Sequence, residues 1–334
     1  MTGEEYTVGW ICALPVERAA ARAMLDDIHD THIERNPSDN NVYTLGRIGP
    51  HNIVIASLPS GVYGESPAAT VAAQMLSTFQ SIRVGLLVGV GGAIPSQQHD
   101  IRLGDVVVSR PEGTLSGVVQ FDRGKTTPDG RFVRTGSLNK PPTVLLNAMA
   151  GLEAEHEMED SKVQEFIAEM LDRYEKMRAG YSYQGRSNDV LYKSEYRHED
   201  VMDTAFCTSC DPSEAVSRHV RQSEAPVIHY GIVASSNQVV RDSILRDRIG
   251  EELGAICCEM EAAGLMDNFP CIVIRGVCDY ADSHKNKRWQ RYAAGTAAAY
   301  AKELLYKVPA SELYAGLSAA QIMGSGEFTM FENP

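Results

Sequence analysis

The part of this sequence that most constrains the fold is residues 255–282, AICCEMEAAGLMDNFPCIVIRGVCDYAD. One apolar run opens it, an Ala-, Met- and Leu-rich segment typical of a helix follows, and a second apolar run begins just after Pro270. Strands buried on both faces read as continuous apolar runs, so the pattern predicts strand, helix and strand in a parallel sheet. In open parallel sheets a ligand binds beyond the carboxyl ends of the strands, where Glu261 and Asp279 fall.

Other apolar runs of the chain end next to polar residues in the same way. The run at residues 6–14 leads into a helix that begins with a proline and contains Glu17. The run at residues 227–234 is followed by Asn237. If the strands are mainly parallel, these groups meet Glu261 and its neighbours at one edge of one sheet. This coincidence is the strongest indication of a site that the residues alone provide.

A glycine cluster follows the apolar run at residues 84–90, in the order Gly-Val-Gly-Gly. Glycine lets the backbone approach a ligand closely or turn sharply. The spacing of the glycines differs from that of a nucleotide-binding loop, and the lysine that follows in such a loop is absent here. We therefore expect Gly91 and Gly92 to lie beside the ligand.

Length and composition favour a globular protein with a small ligand. With 334 residues of which 43% are hydrophobic, the chain can form a sizeable core, and we expect one domain over residues 1–308. This domain carries an elaborated insertion at about residues 111–226, and residues 309–334 form a tail or linker. A net charge of −13 argues against nucleic acid or an anionic membrane as a partner. The sequence lacks a recognisable signal peptide, so we expect a cytoplasmic location.

The seven cysteines do not form an evident disulfide framework, because their number is odd and their spacing irregular. Cys207 and Cys210 form a single CxxC motif, with His198 and His219 nearby. This is half of a four-ligand zinc site, so a structural zinc ion stays an open alternative, although we assign neither a metal nor a cofactor to the chain.

Six segments together resemble the nucleoside phosphorylase and nucleosidase superfamily, in particular its fungal-type branch. They are VGWICALPVE, LLVGVGGAIP, IRLGDVVVS, HYGIVASSNQ, CCEMEAAG and VIRGVCDYAD, and the resemblance spans about residues 6–307. It implies a three-layer α/β/α sandwich around a mixed, partly barrel-like sheet. It also implies cleavage of the N-glycosidic bond of a purine nucleoside, without a cofactor, by a homo-oligomer.

The resemblance assigns roles to individual residues. Asp279 matches the acid that protonates purine N7, and for that role it must carry a proton, which burial favours. Glu261 matches the glutamate that holds the ribose hydroxyls, and Met260 would line the sugar. Asn237 and Val239 match the region that contacts the base. The stacking partner of the purine is unassigned, and the candidates are the aromatic side chains Trp10, Tyr63 and Tyr280.

The two halves of the superfamily differ in the nucleophile: nucleosidases use water, and phosphorylases use inorganic phosphate. Glu17 lies where the hydrolytic members carry the glutamate that positions water. Leu87 and Val90 stand near the positions where phosphorylases of the hexameric type carry arginine and serine. We therefore expect hydrolysis of an adenosine-like purine nucleoside to base and ribose. Two alternatives remain open: a phosphate-dependent phosphorylase, and a module of a larger signalling protein that binds nucleoside without cleaving it.

Plainer roles exist for the same residues. Asp279 could cap a helix, and Glu17 could simply favour the dipole of the helix in which it lies. Arg275 lies within a predicted buried strand, where a guanidinium needs an acidic partner, so we expect an internal salt bridge.

Overall fold

The buried apolar runs of the sequence form a ten-stranded mixed sheet, and a separate ribbon of two strands forms within the insertion. The computed structural model describes residues 2–198, 207, 210–315 and 317–324. In chain order the strands are β1 (Val8–Cys12), β2 (Asp27–Ile28), β3 (Thr44–Ile48), β4 (His51–Ser57), β5 (Val84–Ala93), β6 (Val106–Ser109), β7 (Val118–Gln120), β8 (Gly124–Thr126), β9 (Phe132–Arg134), β10 (Ile228–Ser235), β11 (Ala255–Glu259) and β12 (Cys271–Asp279).

Helices lie between some of these strands and after the last one. They are α1 (Pro15–Met24), α2 (Glu65–Thr78), α3 (Thr143–His156), α4 (Val163–Arg173), α5 (Arg178–Tyr181), α6 (Ser243–Leu253), α7 (Gln290–Lys307), α8 (Ala310–Ala315) and α9 (Ala319–Gly324). None of the described helices combines the length and the apolar character that crossing a membrane requires.

The sheet closes on itself over part of its length. Its strands follow the order β11-β10-β6-β12-β5-β1-β4-β3-β2, and β11 also pairs with β5. The β4–β1, β1–β5 and β5–β12 pairs are parallel, whereas the β3–β4, β12–β6 and β11–β5 pairs are antiparallel. The additional pairing joins β5, β12, β6, β10 and β11 into a ring, which confirms the predicted mixed and partly barrel-like sheet.

Helices cover both faces of this sheet. Alternate residues of β5 point to opposite sides, so Leu86 and Val88 pack with α1, α3, α4 and α7, whereas Leu87 packs with α2. Helix α7 lies directly on β12, because a Cβ atom at Gly276 would collide with the backbone of Ala293. The predicted three-layer sandwich is therefore confirmed.

Two local predictions are wrong. Strand β5 does not end at residue 90 but continues through the glycines to Ala93. The helix predicted after Glu261 is only a 3-10 turn at Ala262–Gly264. Gly264 packs so closely against the backbone of Glu65 that a Cβ atom would collide there.

The segment after α7 folds back onto the domain. Helices α8 and α9 follow α7 closely, and the backbone N–H of Ala319 donates to the carbonyl of Ile82 at 2.8 Å. The proposed role of this segment as a tail or linker stays a prediction.

Asp105 joins the inserted segment to the barrel. The Asp105 carboxylate accepts hydrogen bonds from Arg221 at 2.7 Å and from His229 at 2.9 Å, and from the backbone N–H of Val227 at 3.0 Å. Although burial alone would raise the pKa of Asp105, the bonds from His229 and Arg221 lower it overall. This buried carboxylate therefore links β6, β10 and the end of the insertion.

We expect the substitution Asp105→Ala to destabilise the protein by about 3 kcal/mol, because it leaves the charged partner Arg221 without its buried carboxylate. Urea unfolding measures the effect. The matched control is Asp129→Ala, which removes an exposed carboxylate paired with Arg131 and should leave the unfolding midpoint almost unchanged. Equal unfolding midpoints for the two variants would contradict this account of Asp105.

Candidate functional site

The guanidinium of Arg275 lies at the centre of the candidate site. Arg275 is in the middle of β12 and is fully buried. Its Nη2 atom binds the Glu259 carboxylate and lies 3.2 Å from Oε2 of Glu261. Burial disfavours the charge of Arg275, but Glu259, Glu261 and Glu17 raise its pKa overall. The predicted internal salt bridge is confirmed, whereas the sequence analysis missed the role of Glu259.

Glu259 fixes the turn that presents Glu261. Glu259 is the last residue of β11, and its carboxylate accepts hydrogen bonds from the backbone N–H groups of Glu261 at 3.0 Å and Ala262 at 2.9 Å. Glu261 is also buried, and its burial raises its pKa to about 7, with the carboxylates of Glu259 and Glu17 contributing in the same direction. A signal for Glu259 existed in the sequence, since a buried arginine requires an acidic partner and Glu259 follows a predicted buried strand.

Glu17 reaches the same centre from the first turn of α1. Its Oε2 atom accepts the backbone N–H groups of Ala13 and Leu14, both at 2.8 Å, and its Oε1 atom accepts that of Val90 at 2.8 Å. Burial raises the pKa of Glu17, and the nearby charge of Arg275 together with these bonds opposes the shift. Because a carboxylate offers about four acceptor positions, about one remains for a further donor.

The glycines of β5 make room for these acidic side chains. Gly89 pairs with Arg275 in register, and a Cβ atom there would lie 2.6 Å from Oε1 of Glu17 and 2.5 Å from Nη1 of Arg275. A Cβ atom at Gly92 would lie 2.7 Å from Oδ1 of Asp279. Gly91 and Gly92 lie within the ladder between β12 and β11. Their predicted contact with a ligand stays a prediction.

Asp279 is the last residue of β12, and its buried carboxylate has both a hydrogen-bond donor and a cation as partners. Its Oδ1 atom accepts the backbone N–H of Ala281 at 3.0 Å, and the ammonium of Lys285 lies 3.0 Å from its Oδ2 atom. Burial disfavours the charge of Lys285, but the Asp279 carboxylate raises the pKa of Lys285 overall. The expectation that Asp279 carries a proton took only its burial into account. It did not include the cation of Lys285, which lies six residues further along the chain.

The remaining predicted contacts lie around the rim of the centre. The side chain of Asn237 accepts the backbone N–H of Glu65 at 3.1 Å, at the start of α2, and Val239 is half exposed. Met260 lies in the turn between Glu259 and Glu261 and is partly exposed. These positions are compatible with the roles assigned to the three residues, which remain predictions.

The three aromatic candidates for stacking differ in accessibility. Trp10 is fully buried in the core, and Tyr280 is buried with its hydroxyl bound to Asp189. Tyr63 is 53% exposed and comes directly before Gly64, whose backbone N–H binds the Glu261 carboxylate. Among the three, Tyr63 is the side chain best placed to reach a ligand held by Glu261.

The CxxC motif lies close to His198, one of the two histidines that are near it in the sequence. The ligand atoms of His198, Cys207 and Cys210 lie within 4.8 Å of one another. Among the described residues, His219 is not part of this group, and its carbonyl instead accepts a bond from Arg102.

Comparison with known proteins agrees with this geometry. A family model described as the phosphorylase superfamily matches residues 177–306. A 5′-methylthioadenosine/S-adenosylhomocysteine nucleosidase of Mycobacterium tuberculosis is 24% identical over 91% of this chain and 97% of its own length. The match to the phosphorylase superfamily model covers 130 of the 334 residues of the chain. The predicted resemblance to nucleoside phosphorylases and nucleosidases is thereby confirmed.

Two solved structures share the fold of this chain. The 5′-methylthioadenosine/S-adenosylhomocysteine nucleosidase of Helicobacter pylori superposes with a TM-score of 0.57 at 16% identity, covering 91% of this chain and 99% of that one. The futalosine hydrolase of the same organism gives a TM-score of 0.57 at 16% identity, covering 91% and 98%.

A relative that is much longer than this chain has a higher sequence identity to it than the nucleosidase does. A nucleotide-binding leucine-rich repeat (NLR)-like protein of Hyaloscypha variabilis is 46% identical over 302 residues, which is 90% of this chain but 29% of that protein. The chain thus spans less than a third of the length of this relative.

The raised pKa of Glu261 predicts how stability depends on pH. The pKa of a glutamate in an unfolded chain is near 4.3, and in the folded protein that of Glu261 is about 7, so the folded chain binds the proton more tightly. The stabilisation is complete below the unfolded pKa and is lost as the pH rises through 7. Between these values the free energy of unfolding should fall by up to about 1.4 kcal/mol per pH unit.

Urea unfolding between pH 5 and pH 8 checks this prediction against the variant Glu261→Gln, which cannot titrate at this position. The wild type should lose stability relative to the variant as the pH rises. Parallel curves for the two proteins would show that Glu261 keeps an ordinary pKa.

Proposed function

We propose that this chain is a purine nucleosidase that hydrolyses the N-glycosidic bond of an adenosine-like nucleoside to the free base and the sugar. The breaking bond needs a group that holds the sugar, a group that positions water and an acid for the departing base. Glu261, Glu17 and Asp279 are three buried acidic side chains that can divide these tasks. The superfamily relationship supports the assignment, since relatives with matching folds carry nucleosidase names.

The sugar would bind at the turn that holds Glu261. A carboxylate can accept hydrogen bonds from both the 2′ and the 3′ hydroxyl groups, and Arg275 keeps that of Glu261 in place through its contact at 3.2 Å. Met260, beside Glu261, would line the apolar face of the sugar.

Glu17 would hold the attacking water. Backbone N–H groups fix both of its carboxylate oxygens, and the remaining acceptor position can receive a proton donor. Its raised pKa makes Glu17 a better base than an ordinary glutamate, because a stronger base accepts the proton of water more readily.

Asp279 would deliver a proton to purine N7. The ammonium of Lys285 lies 3.0 Å from Oδ2 of Asp279 and can supply the proton that the carboxylate would pass on to the departing base. Along β5, Asp279 lies beside Gly92 and Glu17 beside Gly89, a separation of three residues or about 10 Å. This separation lets the acid and the water lie at different ends of one bound nucleoside.

The observation that favours water over phosphate is the charge around Arg275. Glu17, Glu259 and Glu261 surround this one guanidinium, so the centre is negative whenever at least two of them are ionised. A phosphate dianion beside these acids would be repelled, whereas neutral water would not. We therefore place phosphorolysis second.

A panel of purine nucleosides, incubated with and without phosphate, tests the proposal. Chromatography should detect free base and free sugar in phosphate-free buffer, at a rate that added phosphate does not increase. A strict requirement for phosphate, with ribose 1-phosphate as the sugar product, would establish the phosphorylase instead.

The substitution Asp279→Asn should reduce kcat by at least about 100-fold, because it removes an acid but keeps the shape of the side chain. The dissociation constant for the nucleoside should change little. The control Asp267→Asn alters an exposed carboxylate and should keep the wild-type kcat. If Asp279→Asn retained more than half of the wild-type kcat, another group would have to be the acid.

A second candidate function is a nucleoside-binding module of a larger signalling protein. The observation in its favour is that the chain matches only 29% of an NLR-like relative at 46% identity. Calorimetry with the same nucleoside panel separates the two functions. Tight binding without any turnover would favour the module, and turnover would favour the enzyme.

A further inference from the structure

We propose a structural zinc site with four ligands: His198, Cys207, Cys210 and His284. The first three belong to the inserted segment, and His284 lies in the loop that follows Asp279. A zinc ion at this position would fasten the insertion to the loop that carries Lys285. This proposal does not depend on the nucleosidase activity.

The three ligands from the insertion already lie close together, as the three atoms of one face of a tetrahedral site do. Their ligand atoms lie within 4.8 Å of one another, and Nδ1 of His198 is 3.0 Å from Sγ of Cys210. Zinc bonds of about 2.0–2.3 Å place the ligand atoms of a tetrahedral site about 3.3–3.8 Å apart. The group therefore needs only small shifts to bind a metal ion, and the two-residue spacing between the cysteines is typical of zinc sites.

His284 supplies an independent observation. Its side chain is only 7% exposed, and in the described part of the structure neither of its ring nitrogens has a hydrogen-bond partner. The nearest carboxylate atom recorded, Oδ2 of Asp282, is 3.9 Å from Nδ1, which is too far for a hydrogen bond. A buried imidazole without a partner costs free energy, and a metal ion would remove that cost.

The surroundings hold His284 next to the other three ligands. Its ring centroid lies 5.6 Å from that of His198, and its carbonyl accepts the Sγ–H of Cys207 at 3.5 Å. The backbone N–H of His198 donates to the hydroxyl of Ser283 at 2.9 Å. The ring of Tyr192 stacks on that of His284 at 4.1 Å. His284 lies outside the group of three residues whose ligand atoms are within 4.8 Å of one another, so its ring would have to move closer to complete the tetrahedron. These contacts nevertheless bring two distant parts of the chain together at the proposed ligands.

Zinc would also explain why the two cysteines remain near a histidine pair rather than in the apolar core. Among the described cysteines, Cys12, Cys257, Cys258, Cys271 and Cys278 lie buried in strands of the sheet. Cys207 and Cys210 instead lie outside the described helices and strands. A metal ion that crosslinks residues outside regular secondary structure would stabilise the fold.

Metal analysis of the full chain, prepared without a polyhistidine tag, tests the proposal. The protein is stripped with a chelator under reducing conditions, reconstituted with zinc chloride and dialysed before mass spectrometry of the metal content. We expect about one zinc ion per chain. Cobalt in place of zinc should give the absorption bands of a tetrahedral ion with thiolate ligands.

Variants identify the ligands. Cys210→Ser and His284→Ala should each lower the zinc affinity at least about tenfold, whereas the matched control His219→Ala should keep the wild-type affinity. If a variant fails to fold, the cobalt spectrum of the wild type still decides whether thiolates bind the metal.

Three results would overturn the proposal. The first is wild-type protein that retains no stoichiometric zinc after reconstitution. The second is wild-type zinc affinity in His284→Ala, which would exclude this residue as the fourth ligand. The third is a disulfide between Cys207 and Cys210 in protein isolated under reducing conditions, because a disulfide leaves no thiolate for zinc.

Discussion

The site depends on one buried charge, the guanidinium of Arg275. A fully buried cation is costly unless acidic groups surround it, and here they come from three different parts of the chain. Glu259 ends β11, Glu261 lies in the turn after it, and Glu17 extends from α1. Their convergence requires β11 to close against β5, and it requires glycine at position 89 where the side chains cross the sheet. The candidate site therefore forms only when the barrel closes.

The same charge distribution gives the acids different chemical characters. Glu259 binds Arg275 directly and fixes a turn, so its role is to position other groups. Glu261 and Glu17 have raised pKa values because burial outweighs the attraction of the shared cation. Asp279 lies outside this cluster and has its own cation in Lys285. Closely related side chains can thus hold a sugar, activate water and protonate a base within one site.

The sequence predicts the strands and most helices well, because burial on both faces and helical periodicity are local patterns. The sequence also predicts that Glu17, Glu261 and Asp279 lie in one region, since all three lie at or beyond the ends of predicted strands. The sequence indicates that Arg275 needs an acidic partner but does not identify Glu259 as that partner, because β11 and β12 are not neighbours in the sheet. It does not predict the pairing of Lys285 with Asp279, because that contact depends on the path of the loop after β12. It predicts a helix where only the 3-10 turn Ala262–Gly264 forms, because the composition of this segment is typical of a helix.

The most direct test of a water-using site is the origin of the new oxygen on the sugar. The nucleoside that the protein cleaves is incubated in ¹⁸O-labelled water with phosphate present, and the sugar is reduced at once and analysed by mass spectrometry. Free sugar incubated without protein corrects for exchange. Our account predicts one ¹⁸O atom on the anomeric carbon of each released sugar. Ribose 1-phosphate without the label as the main product would contradict it.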